Sequence, residues 1–183
     1  MFCIDENGYT GVPGLYAAGE VTGGMHRADR IGGLSTANGL VFGARAGQAA
    51  AASAEILSER EYVEFDGWGV ANAQALQQEL RELMTQYALV SRTQEGLEKA
   101  LERLESMTLE KAASEQPQEV ARGRRVVAQL ELAKAVLSAQ LLRRESRGSH
   151  YRADYPEENS LYNKQIVIKK EANCLSVTWK DEE

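Results

Sequence analysis

The sequence predicts a mainly α protein, in which a glycine-rich segment of mixed structure precedes a three-helix bundle and a short β hairpin. Thirteen of the sixteen glycines lie in residues 1–69, whereas apolar residues recur at helical spacing between residues 70 and 150. Residues 165–179 instead alternate apolar and polar side chains, as strands do. The predicted parts are therefore a first segment 1–69, a helical bundle 70–150 and a β tail 151–183 packed on the bundle.

The composition is that of a folded chain without a nucleic-acid-binding or membrane-spanning signature. Its 183 residues are 43% hydrophobic, which is enough for a core. The net charge of −6 and the pI near 5.2 argue against nucleic-acid binding, which needs a basic face. Because no apolar run reaches about 18 residues and no leader pattern occurs, we expect a cytoplasmic protein without membrane insertion. Cys3 and Cys174 lack metal-ligand spacing, so we expect no metal site and buried free thiols, with a disulfide as the alternative.

Two short strands and a long helix are predicted in the first segment. Residues 2–4 form one short apolar strand, and GLYAAGE, residues 14–20, forms a second buried strand that stops at Gly19. An alanine-rich helix then runs from near Ser35 to about Leu57. Its many small residues would allow close packing against a sheet or a ligand.

Three apolar stripes predict the three helices of the bundle. The stripes consist of Leu76, Leu80, Leu83, Met84 and Tyr87, then Leu97, Leu101 and Leu104, then Val126, Leu130, Ala133, Leu137 and Leu141. Thr93 is a predicted N-cap, and Pro117 is a predicted helix start. Residues 165–168 and 175–179 form the predicted hairpin.

The stretch HRADRIGGLSTANG, residues 26–39, combines cations, bare backbone and a helix start. Gly32 and Gly33 precede the predicted helix, where unpaired N–H groups and the helix dipole favour an anionic ligand. The hydroxyl of Ser35 or Thr36 would either donate to that ligand or cap its own helix.

Arg30 and His26 are the candidate substrate-binding residues. The guanidinium fork of Arg30 matches a carboxylate in two parallel hydrogen bonds, although a surface ion pair with Asp29 or Glu20 is the alternative. His26 would hydrogen-bond a carboxylate or carbonyl, or serve as a structural donor. Glu20 follows Gly19 at the end of the predicted strand, where a carboxylate would accept hydrogen bonds from the hydroxyls of a nucleotide or flavin.

A second charged cluster, RRESRGSHYRADYP, follows the last predicted helix. Arg147 and Arg152 lie close in sequence to Glu145 and Asp154, with His150 between them. We expect an ion-pair network that fastens the bundle to the first segment, in preference to direct catalysis.

Two of these stretches resemble one known family. VPGLYAAGEVTGGMHRADRIGGLSTANGLVFGARAG resembles the C-terminal part of the FAD-binding domain of succinate dehydrogenase/fumarate reductase flavoproteins, and LLRRESRGSHYRADYP resembles their helical C-terminal domain. The resemblance implies that the first segment is the end of an α/β FAD-binding domain. It also implies an FAD-dependent oxidoreductase that acts on a dicarboxylate or related small anion. An iron–sulfur protein subunit is the implied partner, through which the protein would lie peripheral to a membrane.

The same resemblance assigns individual residues. Glu20 corresponds to the glutamate that contacts FAD, and Ser35, with Thr36 beside it, corresponds to the serine that reaches the isoalloxazine ring. Arg30 corresponds to the arginine that holds a substrate carboxylate, and His26 corresponds to the histidine of the family's HGANR element. The residues assigned to the cofactor are Gly19, Glu20, Gly32, Gly33, Ser35 and Thr36.

The chain also departs from the family pattern. The family has glycine, asparagine and asparagine where this chain has Arg27, Asp29 and Leu34. A bulky cation at Arg27 indicates a substrate that differs from fumarate or succinate. The family's G-x-G-x-x-G turn and its substrate-capping domain do not occur in the chain. We therefore expect the C-terminal third of a longer protein, which by itself would neither hold FAD tightly nor turn over.

Two alternatives stay open at this point. The protein could be a relative of L-aspartate oxidase or adenylylsulfate reductase, which use the same flavin frame on another substrate. It could also be a non-catalytic module, in which the bundle and the β tail dock a redox partner.

Overall fold

A computed structural model describes the chain at residues 2–23, 26, 32–53, 67–171 and 174–180. The chain separates into two compact units, Met1–Val63 and Glu64–Glu183. The first unit contains a folded loop and one long helix, whereas the second contains a helical bundle and short strand pairs. The predicted mainly α fold class is confirmed.

In the first unit a loop lies along helix α1, Gly32–Ser53. Phe2 forms a single parallel bridge with Thr22, and Tyr9 forms an antiparallel bridge with Tyr16. These isolated bridges stand where two strands are predicted, and Phe2 is 49% exposed, so the prediction of continuous buried strands is wrong. A strand needs a hydrogen-bonded neighbour along its length, and the described residues of this unit provide one only at the bridges.

Helix α1 already includes Gly32 and Gly33, so the predicted start near Ser35 is wrong by about one turn. Glycine has no Cβ and enters a helix without a clash, at a cost of about 1 kcal/mol relative to alanine. The described helix extends to Ser53, and the predicted end near Leu57 lies outside the described residues.

The second unit contains the predicted three-helix bundle. Its helices are α2 at Ala73–Leu83, α3 at Gln94–Ser106 and α4 at Pro117–Leu142. A π-helical turn, Met84–Ala88, extends α2. The residues of all three predicted stripes lie in one apolar core, in which Leu97 and Leu137 are fully buried. The helical periodicity of the sequence therefore predicted the core correctly.

Both predicted helix starts are confirmed. The hydroxyl of Thr93 accepts a hydrogen bond from the backbone N–H of Gly96 at 3.2 Å, which caps α3. Pro117 is the first residue of α4, where its missing N–H has no partner to lose.

Six short strands form three pairs in the described residues. They are β1 at Trp68–Val70, β2 at Ser91–Arg92, β3 at Lys111–Ala113, β4 at Tyr151–Arg152, β5 at Ile166–Glu171 and β6 at Cys174–Trp179. Strand β1 pairs antiparallel with β3, and β2 pairs parallel with β4. The predicted hairpin is confirmed as β5 and β6, with Ile166 opposite Trp179.

The hairpin contacts the end of α4 through aromatic and charged groups. The rings of Trp179 and Tyr162 stack with centroids 5.0 Å apart, and the Arg143 guanidinium lies 4.7 Å from the Trp179 ring centroid. The predicted packing of the tail on the bundle thus has a cation–π contact at its centre.

Cys3 and Cys174 are free thiols, but both are exposed, so the prediction that they are buried is wrong. None of the described helices is long and apolar enough to cross a membrane.

Candidate functional site

A tight turn presents the first two candidate cofactor residues. Gly19 has a φ of +80° and begins a 3-10 turn, Gly19–Val21. Thr22 closes this turn, because its backbone N–H and its hydroxyl both donate to the carbonyl oxygen of Gly19, at 3.0 and 2.6 Å. Within the described part of the chain, no atom lies within 4 Å of the position that a Cβ would take on Gly19. The turn therefore leaves backbone accessible beside Glu20, which is exposed.

Gly32 and Gly33 are exposed at the described start of α1, and no atom among the described residues lies within 4 Å of either Cβ position. Ser35 donates its hydroxyl to the carbonyl oxygen of Gly32 at 2.6 Å. This local hydrogen bond joins two residues of the same helix turn and is a back-bond rather than an N-cap. Thr36 is exposed.

His26 lies against α1, with its Nε2 2.7 Å from Nδ2 of Asn38. Asn38 is a residue that the sequence did not assign to the site. The available signal was an asparagine inside an alanine-rich helix, where it is a poor helix former and needs another reason to occur.

Gly8 brings the loop of the first unit into close contact with α1. Its φ is +79°, and a Cβ there would lie 2.7 Å from the Cβ of Ala46 and 2.9 Å from the carbonyl oxygen of Ala17. The hydroxyls of Tyr16 and Ser53 are hydrogen-bonded at 2.8 Å. These contacts hold the candidate turn and the candidate helix start on one framework.

Arg30, the predicted substrate ligand, lies outside the described residues, as do Arg27 and Asp29. Their roles stay predictions.

In the second unit, the charged cluster forms a buried network at the end of α4. Glu145 is fully buried and accepts hydrogen bonds from Arg143, from the backbone N–H of Asn159 at 2.9 Å and from Arg147 in two contacts of 3.0 Å. Burial by itself would raise the pKa of Glu145, but the hydrogen bonds from Arg147, Asn159 and Arg143 outweigh it and lower that pKa. Glu145 is therefore held as a carboxylate.

Arg152 and Asp154 form the other half of this network. Arg152, also fully buried, donates two parallel 2.8 Å hydrogen bonds to Asp154 and a third to the carbonyl oxygen of Gln140 at 2.8 Å. Asp154 also accepts the backbone N–H of Gln94 at 2.8 Å, which adds a second cap to α3. The hydrogen bond from Arg152 lowers the pKa of Asp154 to about 2. The predicted ion pairing is confirmed, and these contacts join α3, α4 and the segment after α4 within the second unit.

His150 is tied into the same network. Its Nε2 contacts the carbonyl oxygen of Arg143 at 3.2 Å. Burial lowers the pKa of His150, and the charges of Arg92, Arg143 and Arg152 lower it further. This hydrogen-bonded, neutral imidazole agrees with a structural rather than a catalytic role.

Arg92 is a structural residue that the sequence did not predict. Its guanidinium donates to carbonyl oxygens of two segments, at Ala88, Leu89, Val90, Ser149 and Tyr151. Arg92 is 8% exposed and thereby satisfies carbonyl groups at the end of the π-helical turn. Its partners are 57 and 59 residues away or are local backbone, so no sequence spacing could indicate them.

The order of these parts defines a class of protein. A loop and a helix with paired glycines precede a three-helix bundle, which is completed by a buried arginine–carboxylate network and a β hairpin. This is the arrangement of the C-terminal region of FAD-dependent flavoproteins. Residues 77–182 match the family described as fumarate reductase flavoprotein C-term, and residues 3–36 match an FAD binding domain. The chain belongs to the fumarate reductase flavoprotein C-terminal family.

Individual relatives match nearly the whole chain. A fumarate reductase (CoM/CoB) polypeptide of Methanothermobacter marburgensis is 33% identical over 184 residues, which cover 91% of this chain and 34% of the relative. L-aspartate oxidase of Mycobacterium leprae is 35% identical over 169 residues, covering 90% of this chain and 30% of the relative. The solved structure of Mycobacterium smegmatis Sdh1 in complex with UQ1 has a TM-score of 0.71 and 27% identity, and the match covers 97% of this chain and 34% of that one. The chain spans about a third of the length of these relatives.

Within the described residues, no group of three or more His, Cys, Asp or Glu side chains is arranged to hold a metal ion.

Proposed function

We propose that this chain is the C-terminal part of an FAD-dependent oxidoreductase that transfers a hydride between flavin and a carbon next to a carboxylate. The observation that carries the proposal is the match of residues 3–36 to an FAD binding domain, in a segment whose glycines leave the backbone open. In this proposal residues 1–69 are the end of the FAD-binding domain, 70–150 are the helical domain and 151–183 are its β tail. The substrate is a dicarboxylate or related small anion.

The described residues fit a flavin. At Gly19, Gly32 and Gly33 the space that a Cβ would take is open, so a ring or a phosphate chain could approach the backbone. The carboxylate of Glu20 would accept hydrogen bonds from ribityl or ribose hydroxyls. Backbone N–H groups at the start of α1 would stabilise negative charge on a reduced ring. FAD, when bound, supplies the two-electron hydride chemistry.

The remaining assigned residues would bind and orient. Arg30 would hold a substrate carboxylate in a bidentate pair, and His26 would donate a hydrogen bond to a carboxylate or carbonyl oxygen. Ser35 and Thr36 would lie beside the flavin ring. These roles follow from the resemblance together with the open backbone around the residues.

A second candidate is L-aspartate oxidase chemistry. The Mycobacterium leprae relative, named L-aspartate oxidase, is 35% identical to this chain, and the fumarate reductase relative is 33% identical. Fumarate and aspartate are both dicarboxylates, so Arg30 could serve either substrate. Direct comparison of the two substrates separates the candidates.

We also propose that the redox partner is an iron–sulfur protein, through which the enzyme lies peripheral to a membrane. The chain alone would not retain FAD, because it has no G-x-G-x-x-G turn to hold the pyrophosphate.

The decisive experiment uses the complete reading frame that contains this chain. We expect the purified protein to carry FAD and to act on succinate, fumarate or L-aspartate with a suitable electron acceptor. Arg30→Ala should lower kcat/KM about 100-fold, since a charge-assisted bidentate pair is worth roughly 3 kcal/mol.

Arg45→Ala is the matched control. Arg45 is an exposed cation of α1 whose guanidinium lies 5.5 Å from the Phe42 ring centroid. Its loss should leave kcat/KM within about twofold, as expected for a surface residue outside the site. A flavin-free protein that binds a redox partner would contradict the proposal and favour a docking module.

A further inference from the structure

One polar pair in the first unit joins a proposed substrate ligand to the second turn of α1. Nε2 of His26 lies 2.7 Å from Nδ2 of Asn38, and the pair is partly buried. The other amide atom, Oδ1 of Asn38, is buried and accepts no hydrogen bond from the part of the chain that the structure describes. The pair is therefore a specific contact in a confined place.

The chemistry of the pair determines where the proton of the imidazole lies. An amide nitrogen can only donate, so Nε2 of His26 must be the acceptor and must carry no proton. The ring is then neutral, with its proton on Nδ1. The reverse amide orientation would bury an unpaired NH₂ group with two donors, whereas the observed orientation leaves an unpaired carbonyl, which proteins tolerate more readily.

We propose that Asn38 is a positioning residue that holds His26 as the neutral Nδ1–H tautomer. This inference rests on the proposed function for its meaning, because Nδ1–H then becomes the ring atom that donates to a substrate carboxylate or carbonyl. A histidine side chain free in water favours the opposite Nε2–H tautomer. Asn38 would thus reverse the intrinsic preference and keep a donor, rather than an acceptor, available for the anion.

The tautomer can be measured on the present chain, which contains only two histidines, His26 and His150. A long-range ¹H–¹⁵N correlation spectrum of ¹⁵N-labelled protein at about pH 8.5, where ordinary imidazoles are neutral, distinguishes protonated from bare ring nitrogens. We expect His26 to show a bare Nε2 and a protonated Nδ1. His150 should show the reverse, since its Nε2 must donate to the carbonyl oxygen of Arg143.

Two variants of Asn38 test the cause. Asn38→Leu removes the donor, and His26 should return to the Nε2–H tautomer, a change of about tenfold or more in the tautomer ratio. Asn38→Asp keeps the shape but replaces the donor by an acceptor, so Nε2 should become protonated. His26→Gln assigns the signals, and unchanged His150 signals show that the second unit is intact.

A protonated Nε2 on His26 in the wild-type chain would overturn the inference whether or not any variant folds. A bare Nε2 that persists in both Asn38 variants would overturn it as well. Because the measurement needs neither flavin nor substrate, its outcome is independent of the activity test of the complete protein. An inactive complete protein with the predicted tautomer would reject the proposed function alone.

Discussion

The guanidinium of Arg152 and the carboxylate of Asp154 meet in two parallel hydrogen bonds of 2.8 Å, and Arg152 is completely buried. The same carboxylate accepts the backbone N–H of Gln94 at the start of α3. One ion pair therefore links the segment after α4 to a helix 60 residues earlier in the chain. This relationship makes the second unit depend on groups outside its apolar core.

Replacement of Arg152 by methionine should destabilise the second unit by about 3 kcal/mol or more, because it leaves Asp154 without its charged partner and the Gln140 carbonyl without a donor. Urea unfolding followed by tryptophan fluorescence measures this, since Trp68 and Trp179 both lie in the second unit. Arg103→Met is the control, since Arg103 pairs with Glu79 at the surface, and it should cost less than about 1 kcal/mol. Equal losses in the two variants would refute the special role of the buried pair.

Acid should weaken the second unit through Asp154. The hydrogen bond from Arg152 lowers the folded-state pKa of Asp154 from 3.8 to about 2. A depressed folded pKa contributes stability that is present above the unfolded value and is lost as the pH falls through the folded value. Between about pH 4 and pH 2 the free energy of unfolding should fall by roughly 1–2 kcal/mol from this group, allowing for its partial exposure. Asp154→Asn should flatten the curve in this range, and an unchanged slope would contradict the assignment.

A second acid-sensitive step should come from His150 at higher pH. Burial, reinforced by Arg92, Arg143 and Arg152, lowers the folded pKa of His150 below the usual value of 6.5. The unfolded chain therefore binds a proton first, and stability should start to decline as the pH falls below about 6.5. An NMR titration of the folded chain should find His150 still neutral at about pH 6. His150→Gln should remove this part of the decline, and a wild-type curve that is flat between about pH 7 and pH 5 would show the prediction to be wrong.

The close approach of Gly8 to α1 can be isolated by comparing two alanine substitutions. Gly8→Ala and Gly11→Ala both introduce a side chain at positive φ, +79° and +84°, which costs about 1–2 kcal/mol. Gly8→Ala should cost about 1–3 kcal/mol more, because its Cβ would meet Ala46 and Ala17, whereas the surroundings of Gly11 are open.

Hydrogen exchange at the amide of Ala17, which donates to the Gly8 carbonyl at 2.8 Å, reports this difference. We expect exchange at least about tenfold faster in Gly8→Ala than in Gly11→Ala. Equal exchange rates would mean that the loop does not depend on its contact with Ala46.

The bundle was predictable because its signals are local. Leu97 and Leu104 are seven residues apart and both are buried, as the helical period requires. Thr93 caps α3 with a donor three residues away, and Pro117 begins α4. Each of these signals lies within two helical turns, so the chain needs no distant partner to express it.

The candidate site was only partly predictable. The paired glycines, Glu20 and His26 were assigned from the sequence, but the contact between His26 and Asn38 was not, since nothing in a 12-residue separation indicates it. The strands predicted at residues 2–4 and 14–20 failed for a related reason. A short apolar run becomes a strand only when a neighbour pairs with it along its length.

By itself, the sequence determined three helices, their caps, the hairpin and a likeness to flavoproteins, because periodicity and turn chemistry act over a few residues. Only the tertiary structure decided that Arg92 caps two carbonyl-bearing segments, that Asp154 closes α3 and that Asn38 meets His26. These contacts depend on which distant parts of the chain pack together, and packing follows the summed burial of the whole unit rather than any one stretch of it.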